Sequence, residues 1–190
     1  MDTIFDVLAS DHEEVRRMLA ELTTGPTMAS GASEDELLLR KRMTEQLVIA
    51  ESGHEAVEEM LFWPVVRERV AGGNALADEA IVQEQTAKEV LDRLDRLDAS
   101  EAAFEDLLGM FTVAALTHME FEELRVWPAL SAGLSVTEAE ELAGQIIVAK
   151  QAAPTRPHPR TPATPGVQKT VGPLAGIADK IRDAASGRGE

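Results

Sequence analysis

The sequence predicts an all-α protein: an up-down-up-down four-helix bundle with a short extra helix and a flexible C-terminal tail. Three observations predict it. Apolar residues recur at spacings of three and four through long stretches of the chain. Those stretches are bounded by helix-start and helix-stop residues and joined by short loops. An eleven-residue pattern, H-x-x-x-E-E-x-x-x-W-P, occurs twice, from His54 to Pro64 and from His118 to Pro128. Much of the rest can be read as scaffold that brings the two copies face to face.

The first helix is expected over residues 3–24, where Ile4, Leu8, His12, Val15, Leu19 and Leu22 form one stripe. Gly25 to Ala32, with Pro26 and Gly31, is a loop. Ser33 and Glu36 make a capping box that opens a long second helix, with Leu47, His54, Glu58, Leu61 and Val65 on its inner face. Gly72-Gly73 stops it, and Asn74 is placed to cap a third helix over about 75–98. Ser100 is placed to cap a fourth, about 101–132, with Phe104, Leu108, Phe111, Ala115, His118, Glu122 and Arg125 on one face. Ser135 and Glu138 form a further capping box, for a short helix to about Ala153. Pro64 and Pro128 lie inside helical patterns, remove a backbone bond each and should bend their helices. Trp63 and Trp127 are about 140° round from their glutamates and read as packing wedges.

Composition sets bounds. A chain of 190 residues is long enough for one domain with a real core. It has no cysteine, which rules out disulfides and thiolate-held metals and fits a reducing compartment. It has no tyrosine, so a tyrosyl radical or tyrosine ligand is excluded. The first residues lack a signal-peptide pattern, and no apolar run approaches a membrane span. A cytoplasmic location is therefore expected. The net charge of −16 argues against nucleic acid and anionic membrane as partners. Residues 154–190 carry +3, which leaves −19 on residues 1–153. This divides the chain into a bundle with its accessory helix, 1–153, and a basic tail, 154–190. Pro154 to Pro173 reads as an extended linker. Leu174 to Ala185 reads as a weak amphipathic helix with Leu174, Ile177, Ala178 and Ile181 on its apolar side.

The repeated pattern points to metal. Residues i and i+4 share a helix face, so His54 points with Glu58 and His118 with Glu122. An imidazole with a carboxylate suits iron, manganese or zinc. Two helices that each supply such a pair can hold two ions between them. A solvated His/Glu contact would account for one copy; two copies with identical spacing favour a site. His12, in the middle of an apolar stripe, reads as a hydrogen-bonded core histidine or as a further ligand. Glu84 interrupts the third helix's stripe of Leu76, Ala80, Ala87, Leu91 and Leu94. A carboxylate there is costly unless it is paired, with Lys88 one turn away, or bound to metal.

These residues resemble the hemerythrin-like (HHE cation-binding) domains: His12, then H-x-x-x-E at 54 and 58, an inward residue on the third helix, then H-x-x-x-E at 118 and 122. The resemblance covers about the first two-thirds of the chain. It implies a four-helix bundle around a non-haem di-iron centre, two Fe with an oxo or hydroxo bridge. By position, His12 and His54 would bind one iron, His118 and the third-helix residue the other, and Glu58 and Glu122 would bridge. The family's third helix normally presents histidine. Here the register presents Glu84, giving three His and three Glu.

Such a ligand set favours the ferric state and redox turnover over reversible oxygen carriage. The expected function is redox chemistry with a small ligand (peroxide, oxygen or nitric oxide) in stress protection or iron handling, with a catalase-like activity in view. The alternatives are a non-catalytic iron or oxygen sensor and an interaction protein. Lys88 and Glu123 are candidate proton donors, and a monomer is expected.

Overall fold

The structure is a computed structural model and describes residues 2–161, 165–186 and 188. The described residues form helices and no strand. Helix α1 is Ile4–Thr24 and α2 is Glu34–Val57. A π-helical turn, Glu58–Phe62, leads without a break into α3, Trp63–Arg69. Helix α4 is Gly73–Asp95. Helix α5, Phe104–Phe121, passes through a second π turn, Glu122–Val126, into α6, Trp127–Ser131. Helix α7 is Val136–Lys150 and α8 is Pro165–Ser186. α1 packs on α2 and α5, and α4 packs on α2 and α5, which closes the four-helix ring; α7 lies against α1 and α2.

Local chemistry sets the ends. Thr3 with Asp6, Ser33 with Glu36 and Ser135 with Glu138 form reciprocal capping boxes. Hydrogen bonds from the capping residues hold the carboxyls of Asp6, Glu36 and Glu138 below their ordinary range. At the end of α1, buried Arg40 donates to the Leu22 carbonyl at 2.5 Å and grips Glu105 of α5 with two nitrogens, at 2.9 and 2.6 Å.

Two expected caps are corrected. Asn74 lies inside α4, where its carbonyl and side-chain oxygens face Arg67, and Gly72 caps the helix at φ +77°. Gly73 follows so closely on the Val66 carbonyl that a Cβ would overlap it. Gly73→Ala is therefore expected to destabilise the protein by about 1–3 kcal/mol, read from urea unfolding. Ser100 caps nothing. Glu101 folds back to accept from the Asp98 amide at 2.8 Å, and the helix starts only at Phe104.

The prolines act through the π turns. The amides of Trp63 and Trp127 donate to Glu58 and Glu122 carbonyls five residues back, not four. The wider turn accommodates a proline that has no amide hydrogen and crowds the carbonyl four residues before it. The extra residue also shifts the register by one position. Phe62 and Val66 are buried where Leu61 and Val65 were expected, and Val126 is buried where Arg125 was expected. Arg125 turns outward to Glu79 at 2.9 Å.

The interior is two apolar blocks with a polar layer between them. Leu19, Leu22, Leu47, Leu91, Leu94, Phe104, Leu108 and Phe111 fill one end. Ile4, Leu8, Phe62, Trp63, Val66, Val126 and Leu130 fill the other.

The tail departs from the expected extended linker. α8 begins at Pro165, eight residues before Pro173, and runs through that proline. Residues 162–164 of the expected linker lie outside the described residues. Of the expected apolar side, Ile177, Ala178 and Ile181 are exposed and the Leu174 side chain lies outside the described residues, while Gly176, Asp179 and Asp183 are buried. The docked face is the polar one because each buried carboxylate has partners, a hydrogen bond with His158 and the Arg182 guanidinium for Asp179, and Arg156 and Arg188 for Asp183.

Candidate metal centre

The polar layer collects all six residues singled out in the sequence. His12 comes from α1, His54 from α2, Glu58 and Glu122 from the first residues of the two π turns, Glu84 from α4 and His118 from α5. All six are buried. Donor atoms of His12, His54, Glu58 and Glu122 lie within 4.8 Å of one another, and so do those of Glu58, Glu84 and His118. Glu58 is common to both groups. Glu122 also spans them: one oxygen is 3.2 Å from His12 Nε2 and the other 3.3 Å from His118 Nε2. His54 Nε2 is 3.4 Å from Glu58 Oε1.

The outer nitrogens explain why the inner ones converge. His12 Nδ1 meets Glu123 at 2.8 Å, His54 Nδ1 meets Asp11 at 3.1 Å, and His118 Nδ1 meets Gln83 Oε1 at 3.0 Å. An acceptor at Nδ1 keeps the proton there and leaves the Nε2 lone pair pointing inward, as a metal-binding imidazole requires. Inside the cluster, seven buried atoms have no hydrogen-bond partner: Nε2 of His12 and His118, both oxygens of Glu58 and of Glu122, and Oε2 of Glu84. Buried polar atoms without partners are rare and destabilising. A cation among them would satisfy all of them together, so the donor set fits one.

Electrostatics agree. Burial, reinforced by Glu122 and Glu84, pushes the Glu58 carboxyl well above its ordinary range. Burial also raises Glu84, against the pull of Lys88 and His118. Glu122 goes the other way: burial would raise it, but the facing His118 and His12 outweigh burial and hold it low. Burial pulls His118 down, but Glu122 and Glu84 outweigh it and lift the imidazole to about 9. In the metal-free chain a proton on His118 thus does part of a cation's work.

The repeated Glu-Glu pairs divide their labour. The first member enters the cluster. The second lies outside it: Glu123 takes His12 and, at 2.8 Å, Arg16, while Glu59 pairs with Lys88. Lys88 is itself buried, 3.7 Å from Glu55 and 3.9 Å from Glu84. Lys88→Met is expected to destabilise the protein by about 3–5 kcal/mol, because it leaves buried carboxylates without their counter-charge; denaturant titration measures it.

The tryptophans are more than wedges. Trp63 is buried and its indole N–H donates at 2.5 Å to Glu84 Oε1, the oxygen that lies 3.8 Å from His118 Nε2. Trp127 stacks on the His12 ring, 5.0 Å between centroids. The π turn brings Trp63 inward, since a regular helix would leave it to one side.

Sequence reasoning missed Glu51, Glu55 and the buried setting of Glu59. Burial lifts Glu51 to about 7 and Glu55 to about 8. The signal was there for Glu51: Leu47, Glu51, His54 and Glu58 continue one stripe at spacings of four, three and four.

A sequence profile of the Hemerythrin HHE cation binding domain matches residues 3–130. The chain belongs to this family. A hemerythrin-like protein of Schizosaccharomyces pombe is 24% identical over 184 residues, covering 96% of this chain and 86% of that one. A crystal structure of a hemerythrin HHE cation-binding domain-containing protein from Mycobacterium kansasii superposes with a TM-score of 0.65 at 22% identity, over 80% of this chain and 86% of that one. At that identity the likeness establishes the shared fold. Among the described residues of this hemerythrin-like protein, no helix is long and apolar enough to cross a membrane.

Proposed function

We propose that this hemerythrin-like chain holds two iron ions and uses them for redox chemistry on a small molecule such as peroxide, oxygen or nitric oxide. The observation that carries the reading is the convergence of seven buried donor atoms without a hydrogen-bond partner on two overlapping groups of ligand-type residues. His12 and His54 would hold one ion, His118 and Glu84 the other, and Glu58 and Glu122 would be shared. Three imidazoles with three carboxylates make a mixed nitrogen and oxygen set suited to iron, and the carboxylates favour its oxidised state.

Iron bound there supplies Lewis acidity and electrons. The chain supplies the rest. Glu123, Asp11 and Gln83 fix the imidazole orientations, Trp63 holds one oxygen of Glu84, and the apolar blocks above and below keep bulk water away. Glu84 in place of a neutral imidazole adds negative charge at one position, which disfavours a reduced, reversibly oxygenated protein.

Metal analysis and an absorption spectrum of protein produced with iron test the reading. About two irons per chain and a ferric absorption band are expected, with both reduced in Glu84→Ala. A colourless protein with no bound iron would reject it, and a stable reversible oxygen adduct of the reduced protein would reject the preference for turnover.

A further inference from the structure

The C-terminal segment is seated on the bundle beside the cluster, and its seat is specific. At Gly176 the helix comes so close to the carbonyl oxygens of Ala152 and Ala153 that a Cβ would overlap both. Fully buried Asp179 meets His158 Nε2 at 2.8 Å. Arg156 joins Asp183 at 2.6 Å and Asp95 of α4 at 3.4 Å. Gln85 of α4 donates to the Pro159 carbonyl at 2.9 Å. α8 itself packs on the π turn that begins with Glu58.

Between this strap and the bundle is a cavity of about 20 Å³, room for one water-sized molecule. Its bundle side is Ser52, Ala56, Glu59 and Lys88; its strap side includes Pro157 and His158. Ser52 Oγ is buried and without a hydrogen-bond partner. Lys88 stands between the cavity and the cluster, 3.9 Å from Glu84 Oε2. The cavity therefore offers a hydroxyl, an ammonium and a carboxylate to a small guest. The wall's cations are already matched, Lys88 by Glu59 and Arg156 by Asp183, which disfavours an anion.

We propose that this cavity is a binding site for a neutral hydroxylic molecule of one or two heavy atoms, water or hydrogen peroxide, on its way to the cluster, and that the C-terminal strap is the wall that excludes larger molecules. The inference rests on reading the six-residue cluster as an iron site. It gives the basic tail a role in selecting by size, through contacts made on the face where Glu59 and Lys88 approach Glu84.

Two variants of the full chain test it. Gly176→Leu unseats the strap without touching the bundle side of the cavity, and trypsin cleavage after Lys180, whose amine bonds the Gln151 carbonyl in the seated strap, reports the release. Ser52→Val fills the cavity and removes its hydroxyl. Gly176→Leu is expected to take up as much iron as the parent and to lose it to 2,2′-bipyridine about tenfold faster or more. Ser52→Val is expected to slow oxidation of the ferrous-loaded protein by hydrogen peroxide about fivefold or more, with bipyridine extraction no faster than in the parent. An unchanged extraction rate with a released strap, or an unchanged peroxide rate in Ser52→Val, overturns the proposal. A parent protein that takes up no iron refutes the iron reading instead. The strap is then judged in the metal-free protein by acrylamide quenching of Trp63 in a Trp127→Phe background. Quenching about threefold stronger in Gly176→Leu supports the wall, and equal quenching overturns it.

Discussion

Glu58→Gln is expected to weaken iron binding at both positions while making the metal-free protein more stable. Glu58 is the residue common to both groups of donor atoms, and neither of its oxygens has a hydrogen-bond partner. An amide keeps the volume and one good oxygen donor but loses the negative charge and the second oxygen. Iron content should fall from about two per chain to one or less. In the metal-free chain the same change removes a carboxyl whose ionisation is opposed first by burial and then by Glu122 and Glu84. Its melting temperature should rise, by about 2–4 °C for each kcal/mol relieved in a chain of this size. Opposite signs in the two states are the test. A residue that serves packing alone would lower stability with and without metal. Metal analysis and paired thermal melts, before and after chelation, separate the two cases.

The second large effect is a reversal of pH dependence on metal loading. In the metal-free protein Glu51 rises from an ordinary 4.5 to about 7, Glu55 to about 8, and Glu58 and Glu84 also rise, in each case chiefly through burial. His118 rises from 6.5 to about 9, because Glu122 outweighs the effect of its burial. Each of these groups binds its proton more tightly folded than unfolded. Between about pH 6.5 and pH 9 the folded state therefore carries more protons, and stability falls as pH rises. His54 is shifted the opposite way, lowered by burial, and its effect lies below 6.5, where it removes stability as pH falls. The metal-free melting temperature should drop by roughly 5 °C or more from about pH 6.5 to pH 8.5. A bound cation replaces the protons on His118 and the carboxyls, so iron binding releases protons and strengthens as pH rises. The loaded protein should then hold or gain stability over the same interval. Melts of both forms across this range decide it: parallel falling curves would show that no cation displaces those protons.

Much of the site was legible because it is written in helix periodicity. His54 with Glu58 and His118 with Glu122 are one turn apart on inner faces, and Glu84 interrupts an apolar stripe at its centre; these follow from 3.6 residues per turn. The same periodicity puts Leu47, Glu51, His54 and Glu58 in one row, and the structure buries Glu51 with them. What periodicity could not convey is where the period changes. Proline at 64 and 128 announced a bend, but whether a helix meets it with a kink or a π turn depends on packing around it. The π turn moved Trp63 from the edge to Glu84 and Arg125 from the interior to Glu79.

The sequence by itself determined the bundle helices, their order and six of the side chains in the polar layer, because each depends on residues within a turn or two of one another. Only the tertiary structure decided which outer groups hold the imidazoles, how Lys88 sits among Glu55, Glu59 and Glu84, and that the tail docks by its polar face. Those contacts join residues far apart in the chain, as His12 to Glu123, His54 to Asp11 and Arg156 to Asp95 do. A buried charge is tolerated where a partner of opposite sign reaches it, and which distant residue reaches it is fixed by how the helices pack.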